Sequence, residues 1–254
     1  SVLPALRDSA SEADREGSFY LPNVAVLREA GLLGLVVPEE YGGLGGGLRD
    51  LAGAAYAMGT ACPSTAMAYF FHCSAVSRGM LALEAIERGL FTPEEIPTVR
   101  AFAEKVLHRM GTEGKFFANF ASESAKSASA AVTIQSTAVP VEGGFLLSGV
   151  KSFGCNTGVA DVYLVAARMD GTETAEGVAL FHVDPNAKGV AQRTKWDAIG
   201  MRASATHGIT MDQVFVPTDE ALVIPGAYTR MMECSRGSFV GNQLAGPAIY
   251  LGVA

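Results

Sequence analysis

The spacing of apolar residues changes once along the chain, near Phe116, and this change limits the fold more than any other feature. From Leu21 to about Met110, apolar residues recur at helical spacing, and most Gly and Pro lie between the periodic runs. Beyond Phe116, short alternating segments follow one another with turn residues between them. A doubly wound α/β sheet needs a helix between parallel strands, and no segment is available for one. The pattern therefore predicts a helical domain followed by an antiparallel β-barrel or sandwich.

Four helices are predicted in the first part of the chain. The second and third are rich in Ala and Gly, which lets helices approach closely and predicts a tightly packed bundle. Between the first two helices, the run from Gly42 to Gly47 lacks GxGxxG spacing and no GK[ST] follows it, so it predicts a turn rather than a phosphate-binding loop. The predicted helices are residues 23–30, 48–60 and 64–88, and one that begins at Pro93.

Strand patterns fill the middle of the chain and helical spacing returns after Gly226. Glu142-Gly143-Gly144 predicts a hairpin turn. The last segment predicts a single closing helix with more apolar circumference than this chain can cover. The predicted domains are residues 1–115, 116–224 and 225–254. The predicted strands are residues 132–139, 145–153, 161–168, 177–183, 189–196 and 207–215.

Charge and cysteine usage exclude several classes of protein. The chain has 19 Lys and Arg against 26 Asp and Glu, a formal charge of −7, and no basic block, so neither nucleic acid nor an anionic membrane is expected as a partner. Its apolar stretches fall short of the ~20 residues that span a bilayer, and its first residues do not resemble a signal peptide, which predicts a cytoplasmic location. The cysteines are scattered without a CxxC pair, which predicts free thiols and no metal site. They are Cys62, Cys73, Cys155 and Cys234.

Four strings in the chain resemble the acyl-CoA dehydrogenase family of flavoproteins. They are LREAGLLGLVVPEEYGGLG from Leu27, GGFLLSGVKSF from Gly143, VADVYLVAAR from Val159 and WDAIGMRASATHGITMDQVFVP from Trp196. They occur in the family's order along nearly the whole chain. The resemblance implies an α+β protein with a helical domain, a β-domain and a C-terminal four-helix bundle, with FAD between the last two. By this comparison, the chain would end inside the first helix of that bundle.

The resemblance also implies which residues contact the flavin. Phe153 would cover one face of the ring, an aromatic stacking role. Cys155 stands where a threonine hydroxyl normally approaches flavin N5, and because a thiol is a poor donor, the backbone N–H would supply the hydrogen bond. A loop from Gly200 to Thr206 is similar to one near the flavin in the family. The implied cofactor contacts are Phe120, Ala121, Ser122, Phe153, Gly154 and Cys155.

A third segment, at the opening of the last helix, corresponds to the substrate side of the family's site. By resemblance, Glu233 and Arg236 would lie near the acyl thioester. Some members carry their catalytic base directly before this arginine, where Ser235 stands here, and serine cannot replace a carboxylate as a base. No catalytic residue is therefore assigned. Residues 124–129 also depart from the family's usual Pro-Gly-Ala-Gly-Ser-Asp.

The activity that the resemblance implies is FAD-dependent oxidation of an acyl-CoA thioester. A carboxylate removes the α-proton and the β-hydrogen passes as hydride to flavin N5. The implied partners are an acyl-CoA, an electron-acceptor flavoprotein and further copies of the chain; the apolar last helix predicts a homo-oligomer independently. Two alternatives remain. The altered segments at Ser122 and Phe153 favour a flavin-dependent monooxygenase of the same fold, and a non-catalytic paralogue acting as a partner subunit is the other.

Overall fold

A computed structural model describes residues 1–123, 134–193 and 195–254, with residues 236–243 described by their backbone alone. Its N-terminal part is helical, as the apolar spacing predicts. The helices are α1 Leu3–Glu16, α2 Pro22–Glu29, α3 Leu48–Gly59, α4 Pro63–Ala75, α5 Ser77–Glu87 and α6 Ile96–Gly111.

Helix α1 is absent from the predicted set. It buries Leu6, Ser9 and Ala13, which lie on one face of a helix. One of the three is a serine, so the apolar stripe is too weak in the sequence to predict a helix.

The predicted helix 64–88 divides at Val76. The Val76 N–H bonds the Cys73 carbonyl at 3.2 Å and the Gly79 N–H bonds the Val76 carbonyl at 3.0 Å, both three residues back. Such bonds tighten the turn and interrupt the α-helix. The fourth predicted helix begins at Ile96 rather than Pro93, because the Glu95 carboxylate accepts the Thr92 N–H at 2.9 Å and holds a turn there.

The glycine run between α2 and α3 is a turn, as predicted. Gly42 has φ 82° and Gly45 has φ 64°, in the left-handed region where glycine is unstrained. A Cβ atom on Gly43 would collide with the backbone of Val37. The run therefore packs against the preceding segment.

The described strands form one eight-stranded sheet. They pair in the order β6-β7-β3-β2-β4-β5-β8, and β1 also pairs with β4. The strands are β1 Phe117–Phe120, β2 Thr137–Val141, β3 Gly144–Gly154, β4 Val162–Met169, β5 Val178–Val183, β6 Val190–Gln192, β7 His207–Pro217 and β8 Ala221–Leu222.

The sheet departs from the predicted antiparallel pattern at two pairs. β1 runs parallel to β4, with Phe117 opposite Val162, and β2 is parallel to the end of β4, with Thr137 opposite Arg168. The hairpin of β2 and β3 lies between β1 and β4 in the chain and provides the long connection that a parallel pair needs. The predicted strand 189–196 is shorter in the structure, Val190–Gln192, and residues 132–133 of the first predicted strand lie outside the described residues.

Strand β4 is buried on both faces. Tyr163 and Val165 belong to an apolar cluster that includes residues of α3, α4 and β7, whereas Val162 and Leu164 belong to one that includes residues of α5, α6 and β5. This explains its continuous apolar sequence, which is typical of a covered central strand.

The predicted single closing helix is two helices, α7 Ala227–Glu233 and α8 Arg236–Val253. The break follows from N–H bonds that reach only three residues back, from Cys234 to Met231 and from Ser235 to Met232. α7 packs on α5 and β5, and α8 packs on α3 and α4. Within the described ranges, no helix combines the length and the apolar character that crossing a membrane requires.

Candidate functional site

A cavity of about 750 Å³ lies where the helices meet the sheet. Its walls come from α4, α8, the end of β1 with the residues that follow it, the end of β3 with the residue that follows it, and the loop between residues 196 and 206. Its volume lies within the range of roughly 300–1,000 Å³ typical of small-molecule sites.

Five of the six residues implied to contact a cofactor line this cavity. Ala121 and Ser122 follow β1 on one side, and on the other Phe153 and Gly154 end β3 and Cys155 follows it. A backbone hydrogen bond of 3.1 Å from the Ser152 N–H to the Ser122 carbonyl joins the two segments. The fold thus brings together two segments that the sequence separates by some thirty residues.

Phe120 is the exception, and its side chain lies in the core. The ring is fully buried and packs edge to face on Tyr163, with 4.8 Å between centroids. A Cβ atom on Gly154 would collide with this ring. Alternation along β1 directs Phe120 into the core and Asn119 into the cavity, so Asn119 takes the lining position expected of Phe120.

Of the two residues implied to contact substrate, Glu233 is not among the described residues that line the cavity. α7 buries Tyr228 and Met231, and Glu233, two residues after Met231, points to the opposite, exposed side of the helix. The side chain of Arg236 lies outside the described residues, as do all atoms of residues 124–129.

Two aromatic rings form one wall of the cavity. Phe153 meets Trp196 edge to face, with 5.6 Å between centroids and 70° between planes. Trp196 is held by two hydrogen bonds, from its Nε1 to the Met201 carbonyl at 3.1 Å and from its backbone N–H to Nδ1 of His207 at 2.9 Å. Such a fixed pair provides a wall for a planar ligand.

The opposite wall comes from helices, and sequence reasoning missed it. α4 contributes Phe70 and Phe71, and α8 contributes Pro247 and Tyr250. Apolar residues at helical spacing are read as core, and no local signal marks those that line a cavity. A Cβ atom on Gly246 would meet Phe70 at an ordinary contact distance of 3.5 Å, so this glycine leaves space beside the ring.

One edge of the cavity is a short polar chain. Cys155 Sγ lies 3.0 Å from Thr206 Oγ1, which lies 2.7 Å from Ser204 Oγ. Burial raises the pKa of the Cys155 thiol to about 11, so this thiol is protonated at neutral pH and retains an S–H donor. The loop similar to the family's flavin loop therefore reaches the cavity through its hydroxyl groups.

Arg202, in the same loop, does not reach the cavity. Its Nε donates to the Asp14 carbonyl at 3.0 Å, and its guanidinium lies 3.6 Å from the Asp197 carboxylate. These contacts tie the loop to α1, which is a structural role.

Two buried polar side chains fasten α4 to β1 behind the cavity. The Phe117 N–H donates to Nδ1 of His72 at 3.0 Å, so Nε2 carries the proton and donates to the Leu33 carbonyl at 2.8 Å. Burial lowers the pKa of His72 to about 4 and keeps it neutral. Asn156 donates from Nδ2 to the carbonyls of Ala68, at 3.0 Å, and Phe117, at 2.8 Å.

The described part of the cavity lining is neutral. None of the described residues that form it is Asp, Glu, Lys or Arg, and its polar groups are amides, hydroxyls, a thiol and backbone. A flat, uncharged ring with hydrogen-bonding edges matches both the aromatic wall and the polar edge.

The described chain is thus a helical domain on a mixed sheet, with an aromatic cavity at their junction. Family models identify the fold further. The model described as acyl-CoA dehydrogenase, N-terminal domain, matches residues 4–89, and that described as acyl-CoA dehydrogenase, middle domain, matches residues 118–214. The chain belongs to the acyl-CoA dehydrogenase family, as its resemblance predicted.

Its relatives within the family have more than one activity. L-evernosamine nitrososynthase of Micromonospora sp. is 33% identical over 223 residues, 87% of this chain and 49% of that protein. Mitochondrial isovaleryl-CoA dehydrogenase of Solanum tuberosum is 29% identical over 202 residues, 79% of this chain and 45% of that protein. The chain spans about half the length of these curated relatives.

A solved structure of KijD3 also matches the fold. It contains FMN and dTDP-3-amino-2,3,6-trideoxy-4-keto-3-methyl-D-glucose. The TM-score is 0.75 and the identity is 30%, over 99% of this chain and 58% of that one.

Proposed function

We propose that this protein is a flavin-dependent monooxygenase that oxidises the amino group of an amino sugar. The observation that carries the proposal is the neutral lining: none of the described residues around the cavity is a carboxylate. Dehydrogenation of an acyl thioester needs a carboxylate within hydrogen-bond reach of the α-proton. Oxygenation of an amine removes no α-proton and does not need such a carboxylate. The relatives described as nitrososynthases also favour amine oxygenation.

The residues present fit a flavin. Phe153 and Trp196 would lie against the isoalloxazine ring, and the backbone of Ala121 and Ser122 would meet its polar edge. Cys155, protonated and joined to Thr206, would add an S–H donor. A reduced flavin supplies two electrons to dioxygen, so that one oxygen atom enters the substrate and the other leaves as water.

The same neutral lining would prepare an amine for oxidation. An amine reacts through its lone pair, which the protonated form lacks. Burial disfavours the charged form of an ionisable group, and no carboxylate of the described lining would stabilise an ammonium ion. The cavity would therefore favour the neutral, reactive amine.

An assay of the purified protein with FAD or FMN tests the proposal. With a flavin reductase, NADH and a dTDP-3-amino sugar, we expect oxygen uptake above that of the reductase alone and a product with added oxygen by mass spectrometry. The same sugar with a hydroxyl in place of the amine is the control and should give neither. Substrate-independent oxygen uptake without a new product would contradict the proposal.

Acyl-CoA oxidation, the activity first implied by the resemblance, is the second candidate. The match to isovaleryl-CoA dehydrogenase favours it, and it would need a carboxylate from outside the described cavity lining. FAD would be its cofactor and an electron-acceptor flavoprotein its partner. A flavin that an acyl-CoA bleaches under anaerobic conditions would select this activity, whereas a protein that binds no flavin would select the non-catalytic alternative.

A further inference from the structure

A buried ion pair lies behind the cavity wall. The Lys151 ammonium contacts the Glu123 carboxylate, and the two side chains are 0% and 6% exposed. Neither residue lines the cavity. Burial lowers the pKa of Lys151, and although burial alone would raise the pKa of Glu123, hydrogen bonds from Lys151 and the backbone lower it.

The Glu123 carboxylate also holds a distant part of the backbone. It accepts the N–H groups of Gln135, at 2.6 Å, and Ser136, at 3.1 Å. With the ammonium of Lys151, these donors satisfy both of its oxygens. One side chain therefore joins the end of the first cavity segment to β3 and to the residues just before β2.

The position of the pair connects it to the cavity. Glu123 directly follows Ser122, and Lys151 comes two residues before Phe153, so each member is anchored beside one of the two wall segments. Lys151 is itself fixed in the sheet, opposite Ile209 of β7. Any change in the separation of the two charges would move one wall segment relative to the other.

Stability alone does not explain such a pair. Removing two charges from water is costly, and replacing a buried ion pair with neutral residues of similar volume is often neutral or stabilising. What a charge pair adds is a defined separation between two backbone segments.

We propose that Glu123 and Lys151 are positioning residues that set the distance between the two flavin-contacting segments. This inference rests on the proposed function, because flavin is the ligand positioned. The pair would act through its neighbours: it holds Ser122 and Phe153 at the spacing that lets both meet one ring.

The test uses the full chain and a neutral double variant, Glu123→Gln with Lys151→Met. The glutamine oxygen still accepts one of the two backbone N–H groups and methionine keeps most of the lysine volume, so the double variant removes the ion pair and one backbone hydrogen bond. The control is Glu220→Gln, which breaks the ion pair of Glu220 and Arg109, whose N–O distance is 2.7 Å and whose groups do not line this cavity.

Trp196 provides the readout. It is the only tryptophan of the chain and touches Phe153, so its emission reports both movement of the wall and quenching by added flavin. We expect the double variant to retain its helical circular dichroism, to shift Trp196 emission without ligand, and to raise the Kd for FAD at least about tenfold. The control should change neither the emission nor the Kd.

Other outcomes separate this inference from the proposed function. A wild-type protein that binds neither FAD nor FMN overturns both. A wild type that binds flavin, with a folded double variant of unchanged Kd, overturns the positioning role alone, whether or not the emission shifts. If the double variant does not fold, Glu123→Gln alone replaces it: several-fold weaker flavin binding is expected, and wild-type binding overturns the inference.

Discussion

At the scale of single residues, Phe153 and Phe215 form a natural comparison. They lie on the neighbouring strands β3 and β7 and are 45% and 48% exposed. Phe153 meets Trp196 at the cavity, whereas Phe215 lies in a different, charged cleft beside Arg109 and Glu220. The two rings are therefore similarly exposed, but only the Phe153 ring lines the cavity.

We expect Phe153→Ala to raise the Kd for flavin about tenfold, since an aromatic contact contributes roughly 0.5–1.5 kcal/mol beyond the area it buries. Titration of Trp196 fluorescence with FAD measures the change. Phe215→Ala is the matched control and should bind as wild type does. Equal weakening by the two substitutions would show that loss of an exposed ring, rather than the cavity wall, is responsible.

At the scale of elements, helices α3 and α8 cross at two glycines. A Cβ atom on Gly59 would collide with the Ile249 carbonyl, and one on Gly252 would collide with the Tyr56 carbonyl. Gly53, in the middle of α3, has no atom within 4 Å of its Cβ position. The close approach predicted from the small residues is thus confined to one face of α3.

Gly59→Ala should lower the free energy of unfolding by about 1–3 kcal/mol, because the helices must separate to admit the methyl group. Gly53→Ala should raise it by roughly 0.5–1 kcal/mol, since alanine restricts the unfolded chain without a clash. Urea unfolding followed by circular dichroism measures both. A stabilising Gly59→Ala would mean that α8 does not pack as described.

His72 connects elements through its two ring nitrogens, and this connection predicts a pH dependence. Its pKa is about 4 in the folded protein against 6.5 for an ordinary histidine, so the folded state binds fewer protons than the unfolded state between these values. Stability should therefore fall as the pH falls from about 6.5 towards 4, by an amount of the order of 3 kcal/mol from this residue.

His72→Gln should be less stable at pH 7 but less sensitive to acid. Glutamine still offers one donor and one acceptor, and it does not titrate. Urea unfolding of both proteins at several pH values between 4.5 and 7.5 tests this. The other histidines and the carboxylates contribute to both pH profiles, so the difference between the profiles reports His72. Parallel pH profiles for the two proteins would contradict the assignment.

At the scale of the whole molecule, the exposed face of α8 predicts self-association. Leu244 and Leu251 are 60% and 66% exposed on a helix whose other face is buried against α3 and α4. These two leucines are seven residues apart and therefore share one face of α8, and groups of exposed apolar side chains mark interaction surfaces more often than single ones do.

We expect the wild-type chain to form an oligomer and the double variant Leu244→Glu with Leu251→Glu to shift towards monomer. Light scattering during size-exclusion chromatography measures the mass of each. Leu21→Glu, at a leucine 56% exposed outside α8, is the control and should leave the mass unchanged. A monomeric wild type would contradict the prediction.

Local patterns predicted most of the individual elements. α2, α3 and strands β3, β4 and β5 lie within a residue or two of their predicted limits, because helical and alternating spacing record which side of an element is buried. α1 and β1 were missed because α1 has a weak apolar stripe and β1 is short and covered on both faces. The break at Val76 depends on backbone bonds that leave no mark in the composition.

The sequence by itself determined the order of helical and β-domains, the family, and the two wall segments at Ser122 and Phe153, since all of these are carried by contiguous residues. The tertiary structure alone decided that Phe71, Trp196 and Tyr250 meet across one cavity and that its described lining is neutral. The physical reason is that a cavity is defined by side chains from separate elements whose directions depend on packing. Periodicity reports that a residue is partly buried, not whether it borders a cavity or another side chain.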